Sequence, residues 1–390
     1  MLDKNFLIQP TVDVFISPTD ISNSEKVLVT FSKMTTRERI EIITSKNIAE
    51  FLALLNGIDS VQVILDKMGV FSKVEAVKLL DFLLSKHLIT DVNLLEESEP
   101  RYSRQSTYFH DMFLDRSGTA TQELIGSKKI VLLGCGAVGS QIVEILVRAG
   151  VRKIVLVDYK SISQSNLETH LYSRLKDIGT QKVTILKNYL NRINSSIEID
   201  IFNDKLLPNT ELSKWINDDV SLVINSCDEP YIGHTSLKVG RYLHSRNIPL
   251  YVAGGFDAHL MSSGELLYPP KTPCIDCAQQ TFSLALEGWK PVYSQTNINS
   301  SIIDKSTEHI NPNIELFSSY DKTSFMAGGP GGLIMMSGFS ANLSAIKIIR
   351  FLAEDSSYDF NCVRYEYLPN DGELTEVEMI KQVNCDVCKS

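Results

Sequence analysis

The sequence has no apolar run long enough to cross a membrane. Its longer ones, such as residues 130–133 and 154–157, are of strand length, against roughly 20 residues for a spanning helix. The opening Met1-Leu2-Asp3-Lys4-Asn5 has no apolar signal-peptide core. A basic excess is lacking too: 38 Lys and Arg stand against 47 Asp and Glu, for a net charge of −9. That argues against a general nucleic-acid binder, which needs a basic face. There is no internal repeat and no low-complexity tract. Hydrophobic residues make up 43% and charged residues 22% of 390 residues. This is the balance of a folded globular protein and excludes a mainly disordered or collagen-like chain. The length fits about two or three domains.

What is present begins with cysteine. There are seven: Cys135, Cys227, Cys274, Cys277, Cys362, Cys385 and Cys388. An odd number without an export signal points to a reducing, cytoplasmic setting. Cys274-Ile275-Asp276-Cys277 and Cys385-Asp386-Val387-Cys388 both have the C-x-x-C form. Each pair can give two thiolates to one tetrahedral Zn²⁺, with no open coordination position left for catalysis. Cys362 lies in a strand-like stretch and reads as core, and Cys135 and Cys227 read as small buried fillers.

Residues 1–95 read as one small unit. Residues 12–16 and 26–31 have strand patterns, with a polar turn between them. Helical patterns follow at 47–55, 60–69 and 73–86, and residues 87–90 return as a strand. This order resembles a winged helix. The acidic stretch 96–100 reads as a linker. Residues 96–390 form the second unit. Strands at 128–133, 153–157, 197–201, 222–225 and 249–253 alternate with helices, and a long helix covers 332–353. The expected fold class is α/β, with a doubly wound, mostly parallel sheet and a small N-terminal winged-helix-like domain.

The strand at 128–133 ends in Gly134-Cys135-Gly136-Ala137-Val138-Gly139, a G-x-G-x-x-G run that opens a helix. Asp158 closes the next strand, close to 20 residues on. Glycines admit a phosphate to the backbone, and the helix N-terminus supplies amide hydrogens and a positive dipole end. Asp158 would accept from ribose hydroxyls. The motif alone fits NAD as well as ATP.

Later segments separate the two. They are Ser165-Asn166-Leu167, Gly179-Thr180-Gln181-Lys182 and Asn225-Ser226-Cys227-Asp228, with Arg101-Tyr102-Ser103-Arg104 upstream. Together they resemble the ThiF/MoeB/E1 superfamily of ATP-dependent adenylating enzymes, over about residues 100–390. The resemblance implies that Asp158 holds the ribose, Asn166 and Lys182 contact phosphates, and Asp228 helps place Mg²⁺. It implies that Arg104 reaches the ATP of a partner protomer, hence a homodimer. It also implies that the four paired cysteines hold a structural Zn²⁺. The chemistry is sound: attack of a carboxylate on the α-phosphate spreads negative charge, which Lys182, Arg104, Mg²⁺ and the helix terminus would stabilise.

One position departs from the family. An Arg usually stands two residues after the Leu of S-N-L, and here Thr169 does. His170, Lys160 and Arg174 are the cations left to take its place. The departure leaves open altered chemistry, such as phosphoryl transfer, or lost catalysis.

The N-terminal unit resembles that of peptide-modifying enzymes of the microcin C and pantocin types. There it recognises a ribosomally made precursor peptide by adding the leader as a strand. The edge expected here is 26–31, or the helix at 73–86. The implied activity is ATP-dependent activation of a peptide carboxylate. A pantocin-type enzyme would activate and cyclise a Glu side chain; a microcin C-type enzyme would adenylate a terminal Asn. A non-catalytic leader-binding partner and a sulfur-carrier protein adenylyltransferase are the alternatives. The polar stretch 283–324 is expected to cross over the active site, with a glycine run at 328–332 behind it.

Overall fold

The computed structural model describes residues 1–19, 25–69, 72–95, 98–113, 116–229, 232–254, 261–269, 271–285, 332–354 and 362–388. The stretch expected to cross over the site, beyond residue 285, and the glycine run up to 331 lie outside them. The chain divides into two compact units. One holds residues 1–128, 146–153 and 349–358; the other holds 129–145, 154–348 and 359–390.

The first unit is built from β1 (Phe6–Ile8), β2 (Val12–Pro18), β3 (Lys26–Lys33) and β4 (Arg39–Ser45), then α1 (Lys46–Leu54), α2 (Val61–Met68), α3 (Lys73–Ser85) and β5 (Ile89–Asp91). Antiparallel β2-β3-β4 form one sheet, and β1 pairs with β5. Ser45, Ser60 and Ser72 each begin a helix by accepting a hydrogen bond from the third residue on. Each cap satisfies an amide that the helix leaves bare. Val27, Val29 and Phe31 of β3 share a core with Phe51, Leu52, Ile64, Leu80 and Leu83 from the helices.

Two sequence expectations change here. No strand was expected at 39–45, yet β4 forms there. Its Ile40 and Ile42 alternate with exposed Arg39, Glu41 and Ile43 and pack on the core. Arg39-Ile40-Glu41-Ile42 alternates as a half-buried strand does, but the exposed Ile43 breaks the period after two repeats, which hid it. β4 also overturns the expected docking edge at 26–31. Thr30 of β3 lies opposite both Phe15 and Glu41, so β3 is hydrogen-bonded on both sides. Among the described residues, β2 and β4 are the edges.

Two further helices, α4 (Ser103–Met112) and α5 (Gly118–Ser127), complete this unit. Asp111 anchors α4. Its carboxylate accepts from Gln9 Nε2 at 3.1 Å, Thr11 Oγ1 at 2.6 Å and Thr35 Oγ1. His110 Nε2 meets Thr90 Oγ1 at 3.0 Å. The helices touch so closely at Gly118 that a Cβ there would lie 1.8 Å from the Ser106 carbonyl oxygen.

The second unit carries most of β6 (Lys129–Leu133), α6 (Ala137–Arg148), β7 (Lys153–Val157), α7 (Lys182–Ile193), β8 (Glu198–Phe202), β9 (Leu222–Asn225), α8 (Ile232–His244), β10 (Leu250–Val252) and β11 (Glu265–Leu267). They are followed by α9 (Ile275–Ala285), α10 (Ile334–Leu352), β12 (Val363–Leu368) and β13 (Glu373–Glu378). The six-stranded sheet runs β11-β10-β9-β6-β7-β8. β6, β9 and β10 are parallel, and β11 is antiparallel at one edge. Runs such as Lys-Ile-Val-Leu-Leu in β6 are buried beyond their first residue, as a sheet covered on both faces requires. The α/β reading, with a mostly parallel sheet, is borne out. β6 sits between β7 and β9, so the winding reverses there and the strand ends leave a crevice.

Candidate nucleotide site and cysteine cluster

A cavity of about 710 Å³ lies at that crevice, within the size range of small-molecule sites. Its walls come from Leu133 and Gly134 at the end of β6, Val157 to Lys160 at the end of β7, and Ser226 to Glu229 after β9. Asn166, Thr169, His170 and Lys182 line it too, and Gly332, Met336 and Ser340 come from the α10 end.

The glycine turn is forced by close packing. Gly134 has φ +89°, and a Cβ on it would stand 2.7 Å from the Ser226 carbonyl oxygen. A Cβ on Gly139 would stand 2.5 Å from the Gly134 carbonyl oxygen. Gly136 differs: a Cβ there would meet nothing within 4 Å, so its backbone faces open space in the cavity wall.

Asp158 is held by the backbone. Oδ2 accepts from Cys135 N and Oδ1 from Lys160 N, both at 2.8 Å. The carboxylate thereby ties the glycine turn to the end of β7. Tyr172 adds a bond from its hydroxyl to the Cys135 carbonyl at 2.7 Å. On the opposite wall, Asn225 is fully buried. It donates to Thr235 and Ser236 and accepts from Cys227 N at 3.1 Å, which shapes the turn that presents Asp228. Asn166 is half-buried, and its Oδ1 accepts from Ser163 N at 3.0 Å. Asp228 is exposed at the cavity.

Lys182 is only 6% exposed, and its Nζ lies 3.1 Å from His170 Nε2. His170 Nδ1 in turn meets Thr169 Oγ1 at 3.0 Å. Burial and the Lys182 charge push the His170 imidazole down to about 3. A neutral ring accepts from the ammonium on one side and donates to the threonine on the other. Burial also lowers Lys182, with the Lys160 charge adding to it and Asp158 opposing it. His170 therefore does not replace the missing arginine as a cation: it is neutral and spent on orienting Lys182. Arg174 is exposed and is not among the described lining residues; Lys160 is.

Sequence reasoning missed Glu229, Tyr159 and Lys205. The Lys160 ammonium pairs with Glu229 Oε1, and the Tyr159 hydroxyl donates to Glu229 Oε2. Burial pushes the Glu229 carboxyl up, but its bonds from Lys160 and Tyr159 more than offset that and hold it below its usual value. Burial likewise opposes the Lys160 ammonium, and Glu229 more than compensates. Lys205 Nζ sits 4.6 Å from the Tyr159 ring centre. For Tyr159 and Glu229 the available signal was adjacency to Asp158 and Asp228; Lys205 carried none. Arg104 is exposed on α4 in the first unit, while the described residues lining the cavity all belong to the second.

The four paired cysteines converge. Their sulfurs lie within 4.8 Å of one another. Cys274 and Cys385 are 3.5 Å apart, Cys277 and Cys388 3.6 Å, and Cys274 and Cys277 3.7 Å. A tetrahedron with Zn–S near 2.3 Å has edges of about 3.8 Å, so the donor set fits Zn²⁺. The Gln382 amide donates to Cys277 Sγ at 3.3 Å, as a thiolate ligand favours. Cys362 is buried in the core, and burial raises its thiol.

The ThiF family matches residues 102–387. The chain belongs to the ThiF family. Its curated relatives share shorter stretches. The tRNA threonylcarbamoyladenosine dehydratase 2 of Saccharomyces cerevisiae is 36% identical over 115 residues, 30% of this chain and 25% of the relative. The adenylyltransferase and sulfurtransferase MOCS3 of Anopheles gambiae is 29% identical over 141 residues, 36% of this chain and 30% of the relative. The chain thus spans a third or less of these two proteins. Among solved structures, Escherichia coli MccB crystallised with MccA has a TM-score of 0.71 at 20% identity, over 99% of both chains. PaaA has a TM-score of 0.56 at 16% identity, over 78% of this chain and 91% of PaaA. These likenesses establish that this ThiF-family chain has the fold of MccB and PaaA, along almost its whole length in the case of MccB.

Proposed function

We propose that this ThiF-family protein uses ATP and Mg²⁺ to activate a carboxylate on a ribosomally made precursor peptide. The observation that carries the reading is the Asp158, Asn166, Lys182 and Asp228 constellation around one cavity, on a chain that matches MccB from end to end. In this reading the backbone at Gly134–Gly139 and the start of α6 receive phosphate, and Asp158 holds the ribose. Asn166 and Lys182 contact the phosphate chain, and Asp228 ligates Mg²⁺. Arg104 completes the site of a partner protomer, which makes the protein a homodimer. The bound Mg²⁺ would offset charge on the leaving pyrophosphate. Lys182, fixed by neutral His170, supplies a positive charge that needs no reorganisation during reaction. The cysteine cluster holds Zn²⁺ in a structural role.

The small N-terminal unit, about residues 1–95, is the precursor-recognition element. An extended leader would add to the open edge of β2 or β4. Phe15 of β2 and Ile43 of β4 are 57% and 58% exposed, apolar anchors for such a strand. Phe15→Asp and Ile43→Asp in the full chain test this. One of them is expected to weaken leader binding at least tenfold, with nucleotide binding unchanged. Unchanged peptide affinity in both variants would refute strand addition.

Asp228→Ala tests the metal role. ATP turnover with peptide should fall by on the order of 10²-fold or more, while peptide affinity stays at the wild-type level. Retained turnover would sink the assignment. The nucleotide product then separates the finer readings: AMP with pyrophosphate means adenylation, and ADP means phosphorylation. Water loss from a Glu-containing peptide marks pantocin-type cyclisation, and a modified terminal Asn marks the microcin C type. Thr169 in the arginine's place favours a second reading, a leader-binding partner without catalysis. It requires tight peptide binding with no nucleotide product at all.

A further inference from the structure

We infer that Lys160 is the phosphate-contacting cation that replaces the missing guanidinium at position 169, and that Glu229 holds it in reserve until a triphosphate arrives. The inference rests on the nucleotide reading above and adds a residue to it.

Lys160 lies in the cavity wall between Asp158 and Lys182. Its backbone N donates to Asp158 Oδ1 at 2.8 Å, and its carbonyl accepts from Lys182 N at 3.0 Å. Lys160 and Lys182 therefore leave neighbouring stretches of backbone, and both side chains line the same cavity. The charged groups on its described walls are Asp158, Lys160, Lys182, Asp204, Lys205, Asp228 and Glu229. Lys182, aimed by His170, already has the phosphate role given to it above. Lys205 lies over the Tyr159 ring.

Among the described residues, Lys160 alone of these three lysines is ion-paired to a carboxylate of the cavity. Its Nζ pairs with Glu229 Oε1, both side chains are 42% exposed, and Tyr159 steadies Glu229 from the other oxygen. A half-exposed ion pair of this kind is a weak tie. A phosphate chain carrying several charges outbids one carboxylate for the ammonium. The exchange leaves Glu229 beside Asp228 on the same turn, hydrogen-bonded to Tyr159. No bond is made or broken in this step; one cation changes its anionic partner. Thr169, meanwhile, has no charge to offer and is taken up by His170.

The test is equilibrium binding of a non-hydrolysable ATP analogue and of AMP to the full chain. Lys160→Met should weaken the triphosphate roughly tenfold or more, the worth of a charge-assisted contact. AMP affinity should stay within about twofold, which also shows that the variant is folded. Adding Thr169→Arg to Lys160→Met should restore triphosphate affinity. Glu229→Gln, measured in EDTA so that no metal competes, should bind the analogue more tightly than wild type. Wild-type protein that binds neither nucleotide would overturn the nucleotide reading and this inference with it. Wild-type binding matched by Lys160→Met, or an equal loss of AMP and triphosphate, would overturn the inference alone. Weaker binding in Glu229→Gln would overturn the exchange.

Discussion

Lys182→Ala is expected to lower peptide-dependent ATP turnover by on the order of 10²–10³-fold, the cost of removing one preorganised donor at a developing charge. The structure explains why the effect should be that large. Lys182 is buried, so no water can replace it at low cost. Its ammonium is aimed by His170, which is itself neutral and hydrogen-bonded to Thr169. Single-turnover assays with saturating peptide would measure the loss. Lys182→Arg should not rescue it, because the longer planar guanidinium does not fit a site built around one point donor. His170→Ala should give a smaller loss in kcat than Lys182→Ala, since it frees the ammonium without removing it. An equal loss in both would mean that His170 takes part directly. Turnover that survives in Lys182→Ala would place the phosphate chain elsewhere.

Removing the Zn²⁺ proposed for the cysteine cluster should cost the protein much of its thermal stability. Cys274 and Cys385 are 111 residues apart in the chain. Closing a loop of that length is worth about 4–5 kcal/mol on the chain-entropy model. At about 2–4 °C per kcal/mol for a unit of 150–250 residues, the Tm of the second unit should drop by roughly 8–20 °C. Cys385→Ser with Cys388→Ser, or prolonged treatment with a strong chelator, should produce that fall, and the chelated protein should recover it with added Zn²⁺. Elemental analysis of the purified protein should show one zinc per chain. A Tm that ignores both treatments would leave the four thiols as an unliganded cluster.

The parts of the site written in contiguous residues were legible beforehand. Gly134, Gly136 and Gly139 follow a buried strand, and Asp158 comes just after the next, because the tight turn at the cavity wall is assembled locally. The two C-x-x-C pairs were legible for the same reason, since each is half a coordination sphere. What escaped depended on burial or on partners distant in sequence. Nothing in Thr169-His170 reveals that the imidazole sits inside the protein and loses its proton there. Glu229 looks like an ordinary surface acid until Lys160 and Tyr159 close on it from 70 residues away. In the N-terminal unit, the exposed Ile43 interrupts the alternation of β4 after two repeats, so its period was hidden. Once β4 was missed, β3 looked like an edge when it is the middle strand.

The cysteine cluster also fixes an order of events during synthesis. Cys274 and Cys277 leave the ribosome 111 residues ahead of Cys385 and Cys388. At about 5–20 residues per second, the first pair waits roughly 6–22 s for the second. For that interval the growing chain carries a bare dithiol at the start of α9. That dithiol is half of the four-sulfur donor set. A metal taken by the four-sulfur site would thus be enclosed late, after the strands that form the crevice have already been made.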